Sequence, residues 1–254
     1  MKKIHRKGVA GYAPTLAAGI LLALALTPAA FAQQKGSFTD PRDKKSYKTV
    51  KIGTQTWMAE NLNYHGEDGY LGLCYGDRPK EKIRESENCE IYGRLYDWNE
   101  AKKACPKGWH LPGDKEWQTL IDFAGGKDAA GKKLKSKIGW KEYDFSGKSP
   151  EAPKCKWTEE VKEEIDNRGR VISPAGIREL DKCATDEFGF SALPGGYGYS
   201  DGYFGYVGND GYWWSASEYY SDSAYYRGMY YYNESALYFN DYKYGLFSVR
   251  CLQD

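Results

Sequence analysis

The chain has 254 residues, of which 41% are hydrophobic, 28% charged and 16% aromatic, and its formal net charge is +1. These values exclude a disordered chain and a basic surface for nucleic acid, and a mean hydropathy of −0.74 excludes a protein with many membrane spans. The surplus of 23 tyrosines and 29 glycines over 3 methionines favours short strands and turns over a helical bundle.

The first 32 residues have the features of a secretory leader. Four basic residues precede an apolar stretch at residues 16–26, and Ala-Phe-Ala at residues 30–32 is the small-residue pattern that signal peptidase reads. The apolar stretch is too short to cross about 30 Å of hydrocarbon. We therefore expect cleavage before Gln33, export to the periplasm, the outer cell surface or the medium, and no membrane span in the mature chain. Removal of this leader takes the net charge from +1 to −3.

Six cysteines follow the leader. An even number of cysteines in an exported chain predicts disulfides, and the sequence alone leaves their pairing open. A zinc site is the alternative, but no closely spaced Cys/His pair exists, and His65 and His110 are the histidines that remain after cleavage. Disulfides are therefore favoured. The cysteines are Cys74, Cys89, Cys105, Cys155, Cys183 and Cys251.

A domain is expected over residues 46–254, after a polar lead-in at residues 33–45. Alternating polar and apolar residues predict two short strands, at residues 49–52 and 55–58, that are joined by a turn at Gly53.

Two amphipathic helices are predicted next. Trp98, Ala101 and Cys105 share one face of the first helix, which Pro106 ends. Asp114 is predicted to cap the second helix, which Gly125 and Gly126 close. A shorter amphipathic segment is expected at residues 129–136. The buried stripe of the second helix consists of Trp117, Leu120, Ile121 and Ala124.

The composition changes twice in the second half of the chain. Residues 149–187 are rich in charge and are interpreted as an insertion, in which residues 158–165 are compatible with a helix. From residue 188 onward Tyr, Gly, Asp, Ser and Asn predominate, and fifteen of the 23 tyrosines lie between residues 197 and 244. No repeat is visible, which excludes solenoids and propellers.

Motifs for catalysis are missing from the sequence. It contains no G-x-S-x-G, HExxH, P-loop, GxGxxG or EF-hand pattern. His110 lies between Trp109 and Leu111, a context typical of a structural connector. The carboxylates of the tail are scattered among turn residues, which is typical of solvated loops rather than of a glycosidase pair. They are Asp201, Asp210, Glu218, Asp222, Glu234 and Asp241.

The tyrosine-rich tail gives the strongest indication of function. Tyrosine combines a rigid ring with a hydroxyl, and together with Ser, Gly and Asn it forms adaptable binding surfaces. The alternative is that these tyrosines are core residues of strands, because tyrosine favours strands. If Met229 and Leu237 point inward, the alternate positions point outward. The candidate ligand-binding residues are Tyr219, Tyr220, Asp222, Tyr226, Tyr230, Tyr232, Asn233, Tyr238, Asn240 and Tyr242.

Five motifs follow one another along the chain: YGRLYDW (92–98), CPKGWHLP (105–112), GFSALPGG (189–196), WWSAS (213–217) and SVRCL (248–252). Their order resembles the Fibrobacter succinogenes major paralogous domain over about residues 39–254. The resemblance implies an α+β, C-type-lectin-like fold, related to the formylglycine-generating-enzyme type, with two main helices, small antiparallel sheets, many loops and disulfide staples. It also implies a Cys105–Cys251 disulfide, with Cys74–Cys89 and Cys155–Cys183 as local pairs.

The same resemblance bears on function. Sugar-binding C-type lectins carry calcium motifs that are missing here, so we expect no cofactor, with calcium the one that the fold leaves open. The tail resembles the variable regions of lectin-like proteins that retroelements diversify, which are rich in Tyr, Asn, Ser and Asp. We therefore expect a binding module, not an enzyme, for a protein or glycan at a cell surface. The alternatives are a formylglycine-generating-enzyme-like oxidase, which needs a reactive cysteine pair, and a structural envelope protein.

Overall fold

Helices and mainly antiparallel sheets alternate along the chain, as an α+β fold requires. The computed structural model describes residues 34–69, 71–77, 87–140 and 184–254, and the backbone of four short strands between residues 157 and 180. The described residues belong to one compact unit, Gln33–Asp254. The predicted leader lies outside them.

The helices are α1 (Glu87–Tyr92), α2 (Trp98–Ala104), α3 (Asp114–Phe123) and α4 (Ala130–Leu134). The strands before residue 150 are β1 (Lys35–Thr39), β2 (Ser46–Ile52), β3 (Gln55–Met58), β4 (Leu95–Tyr96) and β5 (Trp109–His110). Those of the charged segment are β6 (Trp157–Val161), β7 (Glu164–Ile165), β8 (Val171–Ser173) and β9 (Gly176–Leu180). The last strands are β10 (Tyr197–Tyr199), β11 (Phe204–Gly205), β12 (Asp210–Tyr220), β13 (Ser223–Tyr230), β14 (Ala236–Tyr242), β15 (Gly245–Ser248) and β16 (Leu252–Gln253).

Two larger sheets organise the described residues. The first has the strand order β1-β2-β3-β16-β5, so the last strand of the chain lies between two early ones. The second has the order β11-β10-β15-β12-β13-β14, and β4 pairs with β15 outside this path. Pairing between β12 and β15 is parallel, at Trp213 and Ser248. The long hairpin β12–β13 and the edge strand β14 therefore form one end of the second sheet.

The second sheet is packed on both faces. Trp213 and Trp214 are neighbours in β12, so their side chains point to opposite faces, and both are completely buried. We call the two clusters the α2 core and the α3 core. The α2 core includes Tyr96, Trp98, Tyr212, Trp214, Phe247 and Cys251, and the α3 core includes Trp57, Trp117, Leu134, Phe190, Trp213 and Met229.

The first predicted strands and the first predicted helix are confirmed. Strands β2 and β3 are joined at Gly53, whose φ of +59° lies in the left-handed region that glycine tolerates. Helix α2 begins after Asp97, whose carboxylate accepts the N–H of Glu100 at 2.9 Å. The Glu100 carboxylate accepts the N–H of Asp97 at 3.1 Å, which completes a capping box.

The second predicted helix differs at its start. Its N-cap is Gly113, and Asp114 is the first helical residue, so the prediction of an Asp114 cap is wrong. Glu116 accepts the N–H of Gly113 at 2.8 Å, while the Asp114 carboxylate pairs with the buried Arg227 of β13. The helix ends at Phe123 with Ala124 as its C-cap, and Gly125 follows with a φ of +104°, as predicted for the glycine that closes the helix. The whole predicted stripe is buried: Trp117, Leu120, Ile121 and Ala124.

Two further differences concern polar segments. Where the structure describes residues 158–165, which are predicted as a helix, they lie in strands instead: β6 pairs with β9 and β7 with β8. The stretch contains Thr158, Val161 and Ile165, β-branched residues that favour strands once a partner is present. Helix α1 was not predicted, since its sequence is polar and only Cys89 is buried in it.

Two disulfides confirm pairs that the family resemblance implies. Cys74 bonds to Cys89 with a Cα–Cα distance of 5.0 Å, and Cys105 to Cys251 with 5.9 Å. The predicted Cys155–Cys183 pair lies outside the described residues. Two disulfides indicate an oxidising, extracellular environment. In the described part of the chain, no helix has the length and apolar character that crossing a membrane requires.

A buried arginine joins the ends of the fold. Arg250 donates to Asn61 Oδ1 at 2.9 and 3.1 Å, and to the carbonyl oxygens of Phe190 and Ser191. Trp213 Nε1 donates to the same Asn61 oxygen at 2.9 Å. Burial lowers the pKa of Arg250 to about 9. These motif residues therefore serve the scaffold rather than a ligand.

Candidate functional site

Exposed aromatic side chains are concentrated in the tail. Of the twelve large hydrophobic side chains that are exposed among the described residues, nine lie between residues 203 and 244. Scattered exposed rings are ordinary, whereas a contiguous group of them marks an interaction surface. The nine are Tyr203, Tyr206, Tyr219, Tyr220, Tyr232, Tyr238, Phe239, Tyr242 and Tyr244.

The register of β13 and β14 divides the predicted residues between two faces. Tyr226 lies opposite Phe239, and Arg227 lies opposite Tyr238. Side chains alternate along each strand, so Tyr226 and Tyr230 share one face, and Tyr238 and the two alternate residues that follow it share the other. The predicted surface is thus not one-sided.

Outward exposure holds at some predicted positions and fails at others. Tyr232, Tyr238 and Tyr242 are exposed, as predicted. Tyr226 and Tyr230 are half-buried against the α2 core, so the prediction that they point into solvent is wrong. They do point away from Met229, but that face of the sheet carries a core of its own.

Tyr212 is the centre of the rings on the α2-core face. Its ring centroid lies 5.7 Å from those of Tyr197 and Tyr226, 6.1 Å from that of Tyr230 and 5.6 Å from that of Phe247. Burial raises the pKa of Tyr212 and Tyr226, and it raises the pKa of Tyr230 to about 12. These hydroxyls therefore stay protonated at physiological pH. The Tyr212 hydroxyl donates to buried Asp210 Oδ2 at 2.9 Å.

A continuous path of rings leads from this centre to the end of β14. Tyr197 lies 5.5 Å from Tyr199, Tyr199 lies 6.1 Å from Tyr244, and Tyr244 stacks on Tyr242 at 5.2 Å. Only Tyr242 of these was predicted as a site residue. The alternation of Tyr197 and Tyr199 around a glycine was the available signal, because two rings at i and i+2 share one face of a strand. We call Tyr197, Tyr199, Tyr212, Tyr226, Tyr230, Tyr242 and Tyr244 the aromatic path, which runs from the buried Tyr212 to the exposed Tyr242 and Tyr244.

A groove lies where the β12–β13 turn meets the end of β14. Its volume is about 320 Å³. Five of the ten predicted site residues line it, which is more than any other feature of the fold brings together. We call it the hairpin groove, and its lining is Tyr219, Tyr220, Asp222, Ser223, Asn240, Asp241 and Tyr242.

Lys135 holds the loop that carries the remaining predicted residues, Tyr232 and Asn233. Its ammonium group donates to the carbonyl oxygens of Tyr230 at 2.7 Å and of Asn233 at 2.6 Å. Lys135 is 1% exposed, and burial lowers its pKa to about 7. Sequence reasoning missed this role, because a lysine near the end of an amphipathic helix is ordinarily solvated.

The described residues contain no group of three or more His, Cys, Asp and Glu side chains placed to hold a metal ion. His110, predicted as a structural connector, has a side chain 38% exposed. It lies 2.9 Å from Glu116 Oε1 and 2.7 Å from Asp254 Oδ1. Burial lowers the pKa of His110, but the two carboxylates outweigh it, and the pKa is raised. The pair of contacts ties β5 to α3 and to the last residue of the chain.

Comparison with known proteins gives a family match. The model of the Fibrobacter succinogenes major domain matches residues 50–253, which is most of the chain and includes the aromatic path and the hairpin groove. No curated protein and no solved structure matches the sequence.

Proposed function

We propose that this chain, which belongs to the Fibrobacter succinogenes major domain family, is an exported ligand-binding module. Its ligand surface is formed by the exposed rings of Tyr238, Tyr242 and Tyr244 and by the hairpin groove, and its ligand is a protein or glycan at a cell surface. The two disulfides, the predicted leader and the family resemblance support the extracellular setting.

The observation that carries the proposal is the set of exposed tyrosines on β14 and in the short turn that follows it. Tyr238, Tyr242 and Tyr244 are each more than half exposed. Exposure of an apolar ring to water carries a free-energy cost that grows with the exposed area. Tyrosine loses few torsions on binding, and a strand fixes its backbone in advance. A ligand that covers these rings would recover their apolar contact at little entropic cost.

The loop that leads into β14, at the end of the strand away from Tyr242 and Tyr244, is firmly held and supports a rigid site. Lys135 fixes the backbone at Tyr230 and Asn233, as described above. At the same place Gly131 of α4 approaches the Ser235 carbonyl so closely that a Cβ would lie 2.1 Å from it. A rigid scaffold with adaptable polar and aromatic side chains is the usual arrangement of a binding site.

We also propose a C-type-lectin-like architecture and a retroelement-diversified tail. The proposed architecture is supported by the Cys105–Cys251 bond, which ties the end of α2 to the last strands, and by the adjacency of β3 and β16. The tail is supported by its Tyr, Asn, Ser and Asp content. The oxidase alternative needs a reactive cysteine pair, whereas the four described cysteines are all bonded in disulfides. No specific observation favours the envelope-protein alternative.

Retention on defined ligands tests the proposal. The protein, purified from the periplasm of an expression host, is applied to cellulose and to an array of bacterial and plant glycans, with and without EDTA. We expect retention without turnover, and loss of retention in the double variant Tyr242→Ala/Tyr244→Ala. Phe123→Ala is the matched control, because Phe123 is also an exposed ring, 45% exposed on α3. Equal retention of the double variant, the control and the wild type would contradict the proposed surface.

A further inference from the structure

Strand β14 forms one edge of the second sheet. Its inner side pairs with β13 over seven residues without a register shift. Among the residues that the structure describes, no strand pairs with its outer side. An edge strand presents backbone N–H and C=O groups that another extended chain can bind.

The free backbone groups of this edge can be identified from the register. The N–H of Ala236 points outward and donates to the Lys127 carbonyl oxygen at 2.8 Å. Because the backbone groups of alternate residues point to the same side of a strand, those of Tyr238, Asn240 and Tyr242 also point outward. The Tyr242 N–H is bound at 2.7 Å by Asp241 Oδ1. Among the described residues, the open part of the edge is therefore the N–H and C=O of Tyr238 and Asn240.

The sequence of β14 leaves this edge unprotected. Natural sheets blunt their edges with lysine, proline, bulges or a covering element. Strand β14 reads Ala-Leu-Tyr-Phe-Asn-Asp-Tyr, with no lysine and no proline. Tyr238 is 57% exposed and Phe239 39%, on opposite sides of the strand. An added strand would therefore meet an aromatic ring on either face.

The hairpin groove lies beside this open edge, and its lining favours an occupant with a positive charge. Its charged lining residues are Asp222 and Asp241, and no lysine or arginine is among the described residues that line it. The neighbouring Lys243 does not line the groove, and its Nζ is already bound at the β12–β13 turn, 2.7 Å from both Glu218 Oε1 and the Ser221 carbonyl oxygen. Burial raises the pKa of Asp241, as expected for a carboxylate with no cation beside it.

Tyrosine rings complete the complementarity to a cation. Tyr219, Tyr220 and Tyr242 line the same groove as the two carboxylates. The faces of aromatic rings attract ammonium and guanidinium groups, and carboxylates add charge-assisted hydrogen bonds. A lysine or arginine side chain thus matches both parts of the lining.

We propose that β14 binds an extended segment of a partner protein as an added strand, with a lysine or arginine side chain of that segment in the hairpin groove. The inference rests on the proposed function and names the partner of the same surface. A second copy of this chain is a poorer occupant, because β14 contains no basic residue to place in the groove.

The test uses a phage-displayed library of random extended peptides of about nine residues, selected on the immobilised protein. We expect enriched peptides with alternating β-branched or aromatic residues and one lysine or arginine. Affinity is then measured for one enriched lysine peptide and for its norleucine counterpart, which keeps the length and removes the charge.

Matched variants separate the backbone from the side chains. Asn240→Pro removes the outward N–H at a position where an edge strand tolerates proline, and Asn240→Ala keeps it. We expect about a tenfold loss of affinity with the proline variant and less than about a threefold loss with the alanine variant. The reason is that proline removes a backbone hydrogen bond and blocks the edge, whereas alanine does neither. Equal affinities of the two variants would overturn strand addition.

The charge of the groove is tested by a second pair. Asp222→Asn is expected to weaken the lysine peptide about tenfold, and to leave the norleucine peptide unchanged, while Asp128→Asn, an exposed carboxylate on another loop, changes neither. Equal binding of the lysine and norleucine peptides would overturn the assignment of the groove. If no peptide is enriched but the double variant Tyr242→Ala/Tyr244→Ala still loses retention on glycans, strand addition is overturned and the proposed function stands. A dimer that Asn240→Pro dissociates would show that a second copy occupies the edge.

Discussion

Truncation of Tyr226 and of Tyr238 is expected to give opposite phenotypes, although the two residues lie on neighbouring strands. Both were candidate ligand-binding residues by sequence. The structure places the Tyr226 ring 4.7 Å from Phe247 and 5.7 Å from both Tyr212 and Phe239. Within the described part of the chain, the Tyr238 ring has one neighbouring ring, that of Tyr225 at 6.3 Å, and the guanidinium group of Arg227 at 5.3 Å.

The two costs in stability follow from burial. Truncation of a fully buried large aromatic costs about 3–5 kcal/mol. Tyr226 is half-buried, so Tyr226→Ala should lower the free energy of unfolding by about 2–3 kcal/mol. Tyr238 is 57% exposed, so Tyr238→Ala should cost at most about 1 kcal/mol, mainly from the weak cation–π contact with Arg227.

Urea denaturation with the disulfides intact measures both values. For a domain of this size, these losses of unfolding free energy correspond to a Tm lowered by about 5–10 °C in Tyr226→Ala and by less than about 4 °C in Tyr238→Ala. The same two proteins are then assayed for retention on the ligand, where only Tyr238→Ala should show a loss that its stability does not explain. Equal losses of stability in the two variants would refute the assignment of Tyr226 to the core face.

Three other predictions concern the scaffold. The two carboxylates hold the pKa of His110 above its usual value. The contribution of His110 to stability is therefore complete below pH about 6.5 and is lost as pH rises through the raised pKa. In urea titrations at several pH values, His110→Gln should lack this pH dependence. The buried Lys135 has its pKa lowered to about 7, so the unfolded chain binds more protons above that pH, and wild type should gain stability relative to Lys135→Met between pH 7 and 9. The double variant Cys105→Ala/Cys251→Ala opens a loop of 146 residues and should lose about 5 kcal/mol of stability by the chain-entropy relation, as calorimetry can measure.

The local elements were predictable because their signals are local. Asp97 and Glu100 form a capping box within four residues, and Trp117 and Leu120 repeat at helical spacing. The turn at Gly53 needs only a glycine between two alternating runs. Helix α1 lacked such a signal because its sequence is polar. The strands of the charged segment pair with one another, and the few residues of each strand do not identify its partner.

The candidate site was predicted in composition and only partly in arrangement. The parity argument from Met229 was correct for the direction of Tyr226, since the two residues do lie on opposite faces. It failed for exposure because Phe247, which covers Tyr226, arrives with β15 through a strand order that no local pattern encodes. The pairing of β16 between β3 and β5 is non-local in the same way.

Tyrosine therefore serves two purposes in this sheet, and burial separates them. Tyr212 is 9% exposed and Tyr242 is 51% exposed, although the same residue type occupies both positions. Substitution at the exposed position removes few contacts and costs little, whereas substitution at the buried one opens a cavity. If the tail is diversified, sequencing of tails from one bacterial population should show changes at Tyr238, Asn240 and Tyr242, while Tyr212 stays constant. Variation spread equally over buried and exposed positions would contradict diversification of a folded binding surface, because many of the resulting chains would not fold.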